Sequence, residues 1–353
     1  MHRPTTLAST PPATERRRCC AQRLAAAALL VTAFHLAPAT PAEAEYRLGE
    51  GLPLLDGRVV LGGYANVTFG ALDDSHDQLA LEDLSTFVTI HLDDHWSIFT
   101  EAELEDTLQF DGDGVGSGDD LFSLERLYLQ WEATDNVRLR VGEMLTPIGI
   151  WNVIHAAPLV WTTSRPITTE RFFDTGLTGA EATFLGSPGD FEVATTLFAQ
   201  VTGHIDDPGD AQRFRRAFGG RVQAEKIPGA RVGLSFVRYD DDTDDRWENT
   251  VAADVLWDAR FLELSAEAAV NDPDGATTTW GAYGQGVVHM TPQIHPFLRV
   301  EFVDLGSRER VPFVFGVAWK PKPAMVIKLE GIVGGHDTEL GGDGVLTSFS
   351  VLF

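Results

Sequence analysis

The sequence predicts an all-β chain: a transmembrane antiparallel β-barrel of about 16 strands with an inward-folded third loop. Three observations carry that expectation. Apolar and polar residues alternate along successive short runs, the period of a strand with one face in lipid and the other in water. Tight turns and longer polar loops join those runs in alternation, as when all turns lie on one side of a membrane and all loops on the other. Finally, the chain ends on a strand in which Val345, Thr347, Phe349, Val351 and Phe353 share one face. A carboxylate on a terminal Phe is poorly placed in a packed core and well placed at a membrane-water interface.

Taken in order, residues 1–44 read as a cleaved export signal. Arg16, Arg17, Arg18 and Arg23 precede the apolar run Leu24 to Ala37, and Ala42-Glu43-Ala44 offers an A-x-A cleavage site. That run is too short to span a bilayer, and no later stretch reaches the roughly 18 apolar residues of a membrane helix, so a membrane form has to be a barrel. Cys19 and Cys20 both lie in this leader, which leaves the remainder without disulfides, thiolate metal sites or a Cys nucleophile. The two cysteines stand where a twin-arginine signal needs apolar residues, which favours the general secretory route. The formal net charge is −25, and the leader holds five Arg against two Glu, so the exported part is more acidic still. This excludes nucleic acid as a partner, because phosphate binding needs a basic face.

Residues 45–57 read as a short periplasmic segment and 58–353 as the barrel. Strands are expected at 58–70, 82–93, 95–107, 121–133, 136–144, 176–186, 190–202, 217–227, 229–240, 247–258, 260–270, 279–290, 293–303, 311–320, 323–333 and 345–353. Tight turns at Asp93-Asp94-His95, Thr134-Asp135, Ser187-Pro188-Gly189, Pro228-Gly229, Asp258-Ala259, Thr291-Pro292 and Pro321-Lys322 follow every even-numbered strand.

Within 95–107, Trp96, Ile98, Ala102 and Leu104 oppose Phe99, Glu101, Glu103 and Glu105; within 323–333, Met325, Ile327, Leu329 and Val333 oppose Lys328 and Glu330. Three stretches alternate poorly: 176–186, the Gly-rich 279–290, and 229–240. In the last, Arg238 falls on the face of Val232, Leu234 and Phe236, which requires a bulge near Val237 or a strand end at the rim. Trp96, Trp131, Trp257 and Trp319 fall on the lipid face beside tight turns, an interfacial girdle that Phe353 joins. In a water-soluble sandwich the same Trp residues would be core anchors.

The connection from Leu145 to Thr175 is the longest and, with Ile148, Ile150, Trp151, Val153, Ile154, Leu159, Val160 and Trp161, too apolar to stand in water. It either enters the barrel or covers a neighbour as a lid or subunit contact. In the first case Arg165, Glu170, Arg171 and Asp174, with Arg138 and Arg140 on the wall, surround a constriction whose focused field sets ion preference. The expected lumen face carries Arg126, Arg138, Arg140, Arg221, Arg231, Arg299 and Lys328 among Glu101, Glu103, Glu105, Glu192, Glu225, Glu263, Glu267, Glu301 and Glu330. A water-filled barrel tolerates such a set, and each member either meets solute or braces the wall in a cross-strand pair.

The run Arg140-Val141-Gly142-Glu143-Met144-Leu145-Thr146-Pro147-Ile148-Gly149 resembles the strand-to-loop element of porins related to the phosphate- and polyphosphate-selective group. Asp174-Thr175-Gly176 into Gly179-Ala180-Glu181 is similar to their return into the barrel. The last strand, with Phe349, Val351 and Phe353, resembles the assembly signal of bacterial outer-membrane barrels. These resemblances imply a homotrimeric outer-membrane porin without a cofactor, passing small hydrophilic solutes and ions by passive diffusion. Its implied partners are outer-membrane lipid, lipopolysaccharide and the barrel-assembly machinery. Phosphate specificity does not carry over, since Lys226, Lys320, Lys322 and Lys328 are the only lysines; the acidic balance points to mild cation preference.

Two other classes compete. An outer-membrane hydrolase needs a His with a Ser or Asp partner, and His91, His204, His289, His295 and His336 are scattered with no such spacing. A structural or adhesive barrel would have a closed lumen. No metal site is expected: Phe110 to Gly116 opens like a calcium loop, but Val115 and Phe122 stand where oxygen ligands are needed. The run Asp240 to Asp245 reads as a solvated loop tip.

Overall fold

The computed structural model describes residue 48 and residues 51–353, apart from 74–76, 112–113, 117–121, 201, 204–213, 227–228, 242–245, 305 and 307. The leader expected at 1–44, positions 112–113 of the calcium-like run, His204, Pro228 and the acidic positions 242–245 lie outside the described residues.

Long strands follow one another around the molecule: β1 (Val59–Leu72), β2 (Gln78–His91), β3 (Trp96–Asp111), β4 (Ser123–Thr134), β5 (Val137–Leu145), β6 (Gly176–Gly186), β7 (Phe191–Gln200) and β8 (Phe214–Lys226). They continue as β9 (Ala230–Asp241), β10 (Trp247–Ala259), β11 (Leu262–Pro273), β12 (Thr279–Val288), β13 (Ile294–Asp304), β14 (Phe313–Lys322), β15 (Met325–Val333) and β16 (Gly344–Leu352). Each pairs antiparallel with the next, and β16 returns to β1 from Leu352↔Tyr64 to Gly344↔Leu72, so the sheet closes without an open edge. Short pieces at Leu52–Leu54, Gly114–Gly116 and Glu309–Arg310 extend the rims beside β1, β3 and β13.

Some ends differ from expectation. β2 starts at Gln78 rather than at 82, and β10 and β14 run through Ala259 and Lys322. Pairing of Asp258 with Glu263 and of Ala259 with Leu262 moves that turn onto Arg260 and Phe261. Pro321 sits inside an irregularity between Trp319 and Lys322, where its missing N–H costs no ladder bond. No bulge occurs near Val237: the β9–β10 register is unbroken, and Arg238 lies near the loop end, bonded to Asn249 at 2.8 Å. Register shifts occur where β1, β2, β3 and β4 meet, at Glu82, between Glu105 and Leu108, and at Leu124-Glu125, and also between Glu132 and Thr134 and between Phe214 and Arg216.

Outside, the barrel presents a continuous apolar surface including Val141, Leu234, Phe302, Phe315 and Leu329. Trp96 and Trp131 are direct cross-strand partners stacked at 5.3 Å, and Trp257 and Trp319 are exposed on the same face near short turns. Phe353 exchanges both backbone hydrogen bonds with Gly63 at 2.8 Å. A Cβ at Gly63 would come within 2.8 Å of the Phe353 ring, so the last aromatic needs a glycine there.

Inside, the lumen is not uniformly polar. Phe198, Phe214, Ala217, Val237, Tyr239, Ala252 and Ala269 of β7 to β11 are buried in one cluster. Val287, Phe297, Val303, Val314, Ala318, Val326 and Ile332 of β12 to β15 belong to a second. Left wet, these side chains would forfeit about 25 cal/mol for each Å² of apolar surface.

Candidate functional site

The third loop, residues 146–175, covers that apolar wall. Ile148, Phe172 and Phe173 pack into the first cluster, Ile167 and Trp161 into the second, and Trp151 and Val160 against Tyr283. The loop therefore folds inward, as the sequence's first alternative has it. Pro166 precedes a single helical turn, α1 (Ile167–Phe172). Close packing selects glycine on both sides: Gly149 turns at φ +69°, and a Cβ at Gly281 on β12 would meet Phe172 at 2.6 Å.

Buried charges on the wall satisfy the loop's backbone. Glu267 on β11 accepts the amides of Ile150 and Trp151, both at 2.9 Å, and the Tyr283 hydroxyl at 3.0 Å. Glu330 on β15 accepts Thr163 N at 2.8 Å and Ser164 N at 2.9 Å, and Glu301 on β13 accepts Ile167 N at 2.7 Å. Arg299 is fully buried; it pairs with Glu301 at 2.7 Å and donates to Thr162 Oγ1 at 2.8 Å and the Ser164 carbonyl at 2.9 Å. Lys328 donates to the carbonyls of Ala157 at 2.7 Å and Thr162 at 2.9 Å. An irregular segment can sit inside a barrel only if its amides find partners of this kind.

Between the loop and the opposite wall lies a cavity of about 690 Å³. Glu82, Asp83, Glu103, Glu105, Glu125, Glu143, Glu170 and Glu339 line it, with Arg165, Lys328 and His155 as the groups able to carry positive charge. The wall acids are held in place by neighbours: Tyr64 donates to Glu103 at 2.9 Å, Asn66 to Glu82 at 3.1 Å and Asp83 at 3.0 Å, and Thr178 to Glu143. A backbone bulge re-aims the side chains around it. Those at Glu82 and Leu124-Glu125 bring Glu82, Asp83 and Glu125 to one cavity.

One contact ties the loop to this acidic wall. His155 Nε2 stands 2.5 Å from Glu125 Oε1. Burial disfavours the imidazolium, but the Glu125 carboxylate outweighs it and holds His155 above the ordinary imidazole pKa.

Of the residues expected at the pore, Glu103, Arg165, Glu170 and Lys328 do line the cavity, with Arg165 3.4 Å from Glu170 and 2.8 Å from Asn152. The expected ring of Arg138, Arg140, Arg171 and Asp174 around it does not form. Arg138 pairs with Glu132 at 2.7 Å near the β4–β5 turn, and Arg140 bonds Gln130 at 2.8 Å and reaches Glu181 at 3.5 Å. Arg171 is exposed toward Glu339 at 3.4 Å, and Asp174 is buried on the Phe214 amide at 2.8 Å. On the wall, Arg126 pairs with Glu101 and stacks over Phe99 at 4.9 Å; Arg221 is buried on Asp254 at 2.6 Å; Arg231 opens β9 beside a short turn.

Sequence reasoning missed Glu82, Asp83, Glu125 and His155. Their signal is a fault in the alternation: Glu82-Asp83 between Leu81 and Leu84, and Glu125-Arg126 between Leu124 and Leu127, cannot both point inward on a straight strand.

A closed barrel of sixteen strands with its third loop folded inside is a porin-like outer-membrane barrel fold. No family model and no curated protein matches the sequence. Among solved structures it is similar to the outer membrane channel DcaP of Acinetobacter baumannii at TM-score 0.56 and 13% identity, covering 84% of this chain and 97% of that one. It is also similar to OmpF of Salmonella typhi, solved with daunomycin, at TM-score 0.57 and 10% identity, covering 84% and 97%. The anion-selective porin from Comamonas acidovorans gives TM-score 0.57 and 11% identity over 83% and 98%.

Proposed function

We propose that this chain is an outer-membrane porin through which small hydrophilic solutes and ions diffuse passively, with a preference for cations. The observation that carries the reading is the cavity left beside the third loop, lined among the described residues by eight carboxylates against Arg165, Lys328 and His155. Fixed charge in a narrow aqueous space between low-dielectric walls concentrates counter-ions. The barrel works as a homotrimer in lipid and lipopolysaccharide, and its terminal strand with Phe349, Val351 and Phe353 is the element read during assembly. A trimer form is also known for OmpT of Vibrio cholerae, a barrel similar to this one at TM-score 0.57 and 10% identity. Single-channel recording of the purified protein in planar bilayers tests the reading. Stepwise currents with a reversal potential favouring cations are expected; absence of conductance would overturn the porin, and strong anion selectivity would overturn its cation preference.

A further inference from the structure

At the short-turn end of the lumen a second group of polar side chains meets, outside the lining of the cavity beside the third loop. Asp258 ends the lumen face of β10 and stands directly opposite Glu263 of β11 in the register. His289 follows β12, tied by its amide to the Phe261 carbonyl at 2.9 Å, and His295 opens the lumen face of β13. One ligand atom from each of Asp258, Glu263 and His289 lies within 4.8 Å of the other two. The Nδ1 atoms of His289 and His295 are 3.0 Å apart. His289 Nε2 is the nitrogen that faces Asp258 Oδ1, at 3.8 Å, so Nδ1 is left to hydrogen-bond His295, and such a bond to the second nitrogen fixes the orientation of a metal-ligating imidazole.

We propose that Asp258, Glu263 and His289 bind a divalent transition-metal ion of the zinc type at the short-turn mouth of the lumen, with His295 holding the His289 ring in place. Mixed imidazole and carboxylate donors suit zinc, copper or nickel, whereas calcium and magnesium take oxygen ligands. The site adjoins the third loop: Glu263 accepts the Trp161 indole N–H at 2.9 Å, and the Trp161 ring lies 4.8 Å from His295 and 5.5 Å from His289. An ion that recruits Glu263 competes with this loop bond and changes the surroundings of Trp161. Lys320, whose ammonium sits 4.2 Å from the Trp161 ring centre, opposes the ion and limits its affinity.

The test is calorimetric titration of zinc chloride into the full chain folded in detergent, with magnesium chloride as comparison. One zinc ion per chain is expected, with affinity at least tenfold weaker in His289→Ala and in Glu263→Gln and no saturable heat from magnesium. Equal zinc binding by wild type and both variants, or magnesium heats matching those of zinc, would overturn the site. Cobalt absorption on the unmutated protein tests it without any variant: intense visible bands report a tetrahedral nitrogen and oxygen shell, and their absence refutes it. Both measurements read binding directly, so a chain that failed to conduct would leave the result standing.

Discussion

Glu267→Ala removes the acceptor on which one end of the third loop hangs. Three donors converge on its Oε1, the amides of Ile150 and Trp151 at 2.9 Å and the Tyr283 hydroxyl at 3.0 Å, and all of these residues are buried. A hydrogen bond to a charged group contributes about 1.5–3 kcal/mol. The two amides belong to the loop, so its attachment there weakens by about 3–6 kcal/mol, and at roughly 1.4 kcal/mol per decade the detached population rises about 10²- to 10⁴-fold. Glu267→Gln keeps an acceptor oxygen but loses the charge, and the effect falls to about half. Chymotrypsin digestion of the folded protein in detergent reads the detached state through cleavage at Trp151, and single-channel noise reads the same event if the barrel conducts. Rapid cleavage with flickering current is expected for Ala and an intermediate result for Gln. Cleavage and noise identical to wild type in Glu267→Ala would show that packing of Ile148, Phe172 and Phe173 alone seats the loop, and the reasoning from the glutamate would fail.

Two further outcomes follow from the acidic cavity. Asp83→Asn combined with Glu103→Gln should move the reversal potential in a salt gradient toward zero, and the wild-type preference should itself shrink as the Debye length falls from about 10 Å at 0.1 M to about 3 Å at 1 M salt; a preference unchanged by the double substitution would place selectivity elsewhere. The contact between His155 and Glu125 should depend on pH. Because the folded imidazole is held above its ordinary value of about 6.5, its contribution is complete below that pH and is lost as pH rises through the higher folded pKa. Loop cleavage at Ile154 and Leu159 by a protease of broad specificity should therefore increase on the alkaline side in wild type and be flat in His155→Gln; the same rise in both would refute the assignment.

The barrel was largely legible because a half-lipid, half-water strand imposes period two, and turn residues mark where each strand reverses. Trp131, Trp257, Trp319 and Phe353 are exposed on the outward face near turns, where the alternation puts them. The site was legible only in part. Expected pore charges such as Arg299, Glu267, Glu301 and Glu330 are buried against the third loop, because a lumen position alone does not tell whether water or protein stands in front of it. The cluster of Asp258, Glu263 and His289 comes from adjacent strand ends, and no spacing along the chain betrays a juxtaposition made by register.

The departures from alternation carry the information that the alternation lacks. The three stretches that pattern poorly fall on β6, β9 and β12, and these supply Leu177, Val237 and Tyr239, and Tyr283 and Val287 to the apolar wall beneath the loop. An inward apolar residue is tolerable only under cover, so such strands mark where a loop must lie. Adjacent acids do the opposite: Glu82-Asp83 on β2 and Glu125 beside Arg126 on β4 sit at bulges and face the open cavity, where water meets the cost of their charge. The acidic faults on β2 and β4 lie across the lumen from β9 and β12. The apolar side fixes where the loop rests, and the loop's position in turn leaves the acidic side as the space in which an ion meets fixed charge.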